Sequence, residues 1–160
     1  MQSQYVKILP LTLHILLWLW FLATALHLSR WDLRERRLPN RIVISTLLVS
    51  MTGFTILTIL NHSWDQFLRA VICACAAVAI YLVLHIAGGM GMGDVKYSAV
   101  TGLYLGWLGW EFLWWGTFTA FAAAAVVVIV AKVRQLKIDR LPFGPFMALG
   151  VVLIVPMTVL

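Results

Sequence analysis

Residues 97–131 read YSAVTGLYLGWLGWEFLWWGTFTAFAAAAVVVIVA, 35 positions with a single charge, Glu111. As one helix this stretch would be roughly 52 Å long at ~1.5 Å per residue, too long for a ~30 Å hydrocarbon core. It divides near Gly109-Trp110-Glu111 into two spans, the first of them short. That division sets the architecture of the whole chain. Working outward, uncharged runs cover Ile8 to Leu28 (21 residues), Ile42 to Leu60 (19) and Ala70 to Gly93 (24), and Leu141 to Leu160 supplies a last span. The expected fold is an all-α membrane protein of about six transmembrane helices, one polytopic domain over residues 1–160 with no soluble domain. Composition agrees: 62% of the 160 residues are hydrophobic and 11% charged, where soluble domains are nearer half and a quarter. The first run is not expected to be a cleavable signal, since only Lys7 precedes it and the small-residue cleavage pattern is weak.

Charge orients the spans. The loops around Arg30–Arg41, Gly89–Lys96 and Lys132–Arg140 hold ten of the twelve Lys and Arg residues, leaving Lys7 and Arg69 for the other side. That asymmetry places the three loops in the cytoplasm and both termini outside it. The net charge of +6 then reports topology and contact with anionic lipid, and no nucleic-acid partner is expected. Trp18, Trp20, Trp107, Trp110, Trp114 and Trp115 read as interfacial or lipid-facing anchors. Cys73 and Cys75 point to nearly opposite sides of a helix, too ill-placed to bridge each other, and read as small packing residues.

Two carboxylates fall on the same side of the membrane. Asp32 follows the first span in SRWDLRERRLPNR, and Asp94 follows the third in GGMGMGDVK, residues 88–96. Each has a structural explanation: Asp32 as an ion-paired surface residue among arginines, Asp94 as a helix N-cap. Each also sits within a few residues of a span end, where a compact bundle could bring the two together. A Gly-x-Gly-Asp pattern alone is weak, expected by chance in about 4% of chains this long. The order of several features is more specific.

That order resembles the type IV prepilin peptidase family of membrane-embedded aspartyl proteases. The first motif is Asp32 followed by basic residues and Leu38-Pro39-Asn40; the second is Gly91-Met92-Gly93-Asp94-Val95-Lys96; the third is Pro142-Phe143-Gly144-Pro145 at the start of a late helix. The resemblance implies a multi-pass protein of the bacterial cytoplasmic membrane with Asp32 and Asp94 as the catalytic pair. It implies a substrate that is a pilin-like precursor, cut after a glycine that ends a short basic leader. It resembles the short, peptidase-only members, so methyltransferase activity is not expected. Two close carboxyl groups cannot both ionise readily, so one would activate a water while the other, protonated, polarises the scissile carbonyl. No metal or cofactor is expected. Gly91 and Gly93 would allow positive φ and close approach of an extended substrate, or close helix packing. Lys96 would steady the loop against lipid phosphate or lower a carboxylate pKa. His85 is near enough in sequence to Asp94 to act behind it. Oligomeric state stays open.

Other proteolytic chemistries lack their residues. His14, His27, His62 and His85 are scattered with no His-Glu-x-x-His arrangement for zinc, and no serine has a nucleophile's setting. The alternative from another class is a non-enzymatic membrane scaffold or transporter subunit, in which both aspartates mark topology or an ion path.

Overall fold

The 97–131 stretch breaks where expected. Helix α4 (Met92–Leu108) stops at Gly109, whose N–H reaches the Leu105 carbonyl at 3.1 Å, and α5 (Trp110–Val133) starts at the next residue. The computed structural model describes residues 2–35, 37–136 and 141–155, with side chains from residue 8 onward. The side chain of Lys7, Arg36, Lys137, Arg140 and the part of the last expected span beyond residue 155 lie outside the described residues. Four further helices complete the described fold: α1 (Gln2–Glu35), α2 (Asn40–Asn61), α3 (Trp64–Ile86) and α6 (Gly144–Ile154).

Four of the six helices are long and apolar enough to cross a membrane: Ile8–Glu35 of α1, α2, α3 and α5. α4 has 17 residues and α6 has 11 in the described part. At ~1.5 Å per residue α4 is about 25 Å long, short of a full hydrocarbon core.

The third expected span is displaced from Ala70–Gly93 to Trp64–Ile86, for a reason at each end. Its start takes in Asp65 and Arg69. The Arg69 guanidinium donates to the carbonyls of Gly106 (2.8 Å) and Trp107 (3.0 Å), and the Gln66 amide donates to the Trp107 carbonyl (3.0 Å). These are the unpaired acceptors at the end of α4, where a cation is favoured. At the other end, Gly88 adopts φ 81°. Its N–H bonds the His85 carbonyl (2.9 Å) and the Gly89 N–H bonds the Leu84 carbonyl (3.0 Å). This pair of bonds around a left-handed residue closes the helix and turns the chain out of it.

α4 forms the centre of the bundle, packing against α2, α3, α5 and α6. Every residue from Val100 to Trp107 is buried. Small residues permit the close approach of α3. A methyl group on Gly102 would stand 2.7 Å from Ala77 Cβ and 2.9 Å from both Ala74 Cα and the Cys73 carbonyl, so backbone meets backbone at a small-xxx-small seam. The cysteines point to different sides as expected, but only Cys73 is a packing residue, buried in that seam, while Cys75 is exposed.

Trp107 corrects one expectation. It is not an anchor at the lipid boundary: it is 1% exposed and stacks on Phe54, centroids 4.3 Å apart. Trp18 is half-buried, packing edge-on against Tyr104. Trp20, Trp110, Trp114 and Trp115 are exposed. Tyr104 itself crosses the bundle, donating to the Leu17 carbonyl (2.9 Å) and lying 2.9 Å from the Ser50 hydroxyl. It ties α4 to α1 and α2, a low-dielectric setting in which each satisfied hydrogen bond matters.

Candidate active site

The end of α1, the α1–α2 connection, the α3–α4 turn and the start of α6 meet at one end of the bundle. Leu38 lies at the middle of this junction. It is buried, and methyl groups placed on Gly93 and Gly144 would stand 3.0 Å from its Cβ and 3.3 Å from its Cδ2. The three sequence motifs therefore converge on one leucine. Lys96 adds a tie, its ammonium donating to Asn40 Oδ1 at 3.0 Å, so the first turn of α4 is joined to the first residue of α2.

Asp32 and Asp94 line the same cavity, of about 820 Å³. Leu84, Phe121, Leu141, Pro142 and Phe143 form its apolar walls, and Gly88, Gly89, Met90 and Gly91 its backbone rim, with His85 between them. Asp32 is 4% exposed, and its Oδ2 accepts the Gly144 N–H at 2.9 Å. Gly144 opens α6, so this carboxylate is held by an unpaired N–H at a helix start, where negative charge is favoured. Asp94 sits in the first turn of α4, ahead of the apolar stretch that begins at Tyr97. Its Oδ2 accepts the Gly91 N–H at 3.2 Å. The cap expected of Asp94 is thus present in a variant form: Gly91 is the N-cap residue and Asp94 reaches back to it from the third helical position.

Burial and a neighbouring carboxylate both act on Asp94. Burial, and then the charge of Asp32, push the Asp94 pKa up to about 6, against the opposing pull of the Gly91 N–H. An Asp that holds its proton to about pH 6, beside a second carboxylate in one cavity, is the arrangement that divides acid from base roles.

The remaining expected residues take more local roles. Positive φ falls on Gly88 and not on Gly91 (φ −78°) or Gly93. Gly91 lines the cavity, whereas the space left by Gly93 is taken up by Leu38. Lys96 bonds Asn40. His85 does lie on the cavity, its Nδ1 2.7 Å from the Met90 carbonyl. The sequence marks no role for Leu38, Phe121 or Gly144. The Leu-Pro-Asn and Pro-Phe-Gly-Pro motifs contain the first and third, but nothing local to Phe121 distinguishes it from other apolar residues of α5. Among the described residues no group of three or more His, Cys, Asp or Glu side chains could hold a metal.

A helical bundle with four long apolar helices, and two aspartates on one cavity at its end, defines a polytopic protein with an acidic site. The family follows from comparison with known proteins: residues 15–133 match the model of the type IV leader peptidase family, and the chain belongs to that family. It is 32% identical over 140 residues to a "Prepilin leader peptidase/N-methyltransferase" of Burkholderia pseudomallei, which covers 80% of this chain and 42% of that protein. It is 32% identical over 126 residues to "Leader peptidase HopD" of Escherichia coli, covering 74% of this chain and 77% of that one. A "Prepilin leader peptidase/N-methyltransferase" of Escherichia coli K12 is 28% identical over 129 residues, 78% of this chain and 56% of that one. The chain thus spans about two fifths of the length of the Burkholderia relative. No solved structure matches.

Proposed function

We propose that this protein is an aspartyl endopeptidase of the bacterial cytoplasmic membrane that removes the short leader of pilin-like precursors, cutting after glycine at the cytoplasmic face. The observation that carries the reading is that Asp32 and Asp94, 62 positions apart in the sequence, line one cavity. Family membership supports the substrate class, and the reading takes the peptidase part of the relatives' printed names. Topology follows from charge: the basic loops around Asp32, Asp94 and Lys132 face the cytoplasm and both termini lie on the other side. A precursor's hydrophobic helix would lie in the bilayer beside the bundle, leaving its scissile bond at the depth of this cavity, with anionic lipid between the basic leader and the basic loops.

In this reading the pair shares one proton. Asp94, whose pKa is raised to about 6 by burial and by its neighbour's charge, is the protonated member and donates a hydrogen bond to the scissile carbonyl oxygen. Asp32, its Oδ2 oriented by the Gly144 N–H, takes a proton from water as the water oxygen bonds to the carbonyl carbon. The tetrahedral intermediate collapses as Asp32 passes that proton to the leaving nitrogen, and the C–N bond breaks. The pair's pKa values belong to the pair and not to either residue alone. Gly91 and the neighbouring backbone rim of the cavity supply groups for an extended peptide, and the apolar walls receive its side chains.

The test is cleavage of a pilin-like precursor in lipid or mild detergent by wild type, Asp32→Asn and Asp94→Asn, followed by mass spectrometry of the new amino terminus. Cleavage after glycine by wild type and by neither variant is expected. Cleavage persisting in either variant removes that aspartate from the mechanism. No cleavage by folded wild type across several leaders returns the protein to a scaffold or transporter role.

A further inference from the structure

One peptide group carries two of the hydrogen bonds described above. The Met90 carbonyl lies 2.7 Å from His85 Nδ1, and the Gly91 N–H, the other edge of the same peptide plane, lies 3.2 Å from Asp94 Oδ2. A carbonyl can only accept, so Nδ1 carries the proton, and neutral His85 has its lone pair on Nε2. In a trans peptide C=O and N–H point in opposite directions, and there is no cis bond among the described residues. His85 and Asp94 therefore grip one rigid plane from its two edges.

A plane in a glycine turn can rotate. Turning the 90–91 peptide over changes ψ of Met90 and φ of Gly91, and glycine tolerates φ of either sign. The turned-over state would take the N–H away from Asp94 and aim a carbonyl dipole at its carboxylate instead. It would also break the bond to His85. We propose that His85 is a positioning residue that locks the Met90–Gly91 peptide with its N–H toward Asp94, and so sets the orientation and proton affinity of that carboxyl group. The inference rests on the peptidase reading for its consequences in catalysis, but the lock itself does not.

The titratable surroundings of Asp94 are limited. Asp32 faces it from α1, and Tyr81 and His85 from α3. On its own helix Lys96 is engaged by Asn40 of α2, and α5 and the segment leading into α6 present Phe121 and Phe143. Among the described residues, His85 is the one of these groups joined to Asp94 through a backbone hydrogen bond.

The test compares His85→Ala, His85→Asn and His85→Gln in the full chain. Asparagine places an amide N–H near the position of Nδ1; glutamine reaches nearer the position of Nε2. Melting in detergent checks each variant's fold. His85→Ala is expected to lower kcat about fivefold, the typical net worth of one hydrogen bond between neutral groups, with KM little changed. The pH limb that reports loss of the Asp94 proton should move upward, because an N–H that favours the ionised form has been removed. His85→Asn should restore both, and His85→Gln neither. The idea fails if His85→Ala raises KM alone, which would make His85 a substrate contact. It also fails if the asparagine variant behaves like alanine, or if glutamine rescues equally. An infrared titration of the Asp94 carboxyl, assigned by difference from Asp94→Asn, reads the same shift without substrate. If wild type cleaves nothing but this titration still moves in His85→Ala and returns in His85→Asn, the peptidase reading falls and the lock stands.

Discussion

Replacing Gly144 by alanine tests how closely the cavity holds Asp32. The Gly144 N–H donates to Asp32 Oδ2 at 2.9 Å. A methyl group on Gly144 would stand 2.9 Å from that same oxygen and 3.3 Å from Leu38 Cδ2, closer to the oxygen than a carbon side chain packs. Asp32 is 4% exposed and short, so its carboxylate can relieve the contact only by swinging away and giving up the N–H. A hydrogen bond to a charged acceptor is worth about 1.5–3 kcal/mol. If that loss falls on the transition state, cleavage slows by about 10- to 150-fold. The assay is kcat/KM on a pilin-like precursor, with the melting temperature in the same detergent as the measure of folding. A variant that melts like wild type and cleaves at more than about a third of its rate, where one such hydrogen bond would cost at least tenfold, would refute the reasoning. Asp32 would then not depend on Gly144 for its position.

Asp94 makes stability depend on pH with a defined sign. Its folded pKa, about 6, lies above the ordinary 3.8, so its contribution is fully present below the unfolded value and is lost as pH rises through about 6. At about 1.36 kcal/mol for each tenfold in proton affinity, the loss approaches 3 kcal/mol. Asp94→Asn should therefore unfold at higher denaturant than wild type at pH 8 and match it at pH 3.5; equal stabilities at pH 8 would contradict the burial argument. Gly102→Ala should cost about 1–3 kcal/mol by forcing a methyl against the α3 backbone, read as earlier unfolding in mixed micelles. An unchanged midpoint would mean that α3 and α4 are not in that contact. Arg69→Met should cost about 1–3 kcal/mol by leaving carbonyls at the end of α4 without their donor. Its cleavage pH profile should match wild type, because Arg69 caps the opposite end of α4 from Asp94; a displaced profile would mean that the two ends are coupled.

The candidate site residues were legible in the sequence because the proposed chemistry needs particular side chains. Asp32, Asp94, the glycines between 88 and 93, and the break at Gly109 all interrupt an apolar background, and each interruption has a physical cost that asks for a reason. The order of the three motifs carries the family resemblance with no contact needed. What could not be read was which apolar residues face inward. A helix that is apolar on every side has no polar face to mark lipid or solvent, so buried Trp107 and exposed Trp110 look alike in sequence. Phe121 of α5 was hidden for the same reason, whereas Leu38 lies in the α1–α2 connection and its place is set by contacts with the distant Gly93 and Gly144.

Glycine roles also needed the fold. Glycine offers both positive φ and close approach, and sequence cannot say which is used. The structure assigns positive φ to Gly88, close approach to Gly93 and Gly144, and the seam between helices to Gly102. Apolarity, charge and motif order are properties of residues in line, and they suffice for an all-helical, lipid-compatible chain with two candidate carboxylates in recognisable motifs. That the two carboxylates share a cavity, that Leu38 joins their motifs, and that His85 and Asp94 hold the same peptide became visible in the folded chain alone. Those are distances between segments, and distance between segments is set by how helices pack.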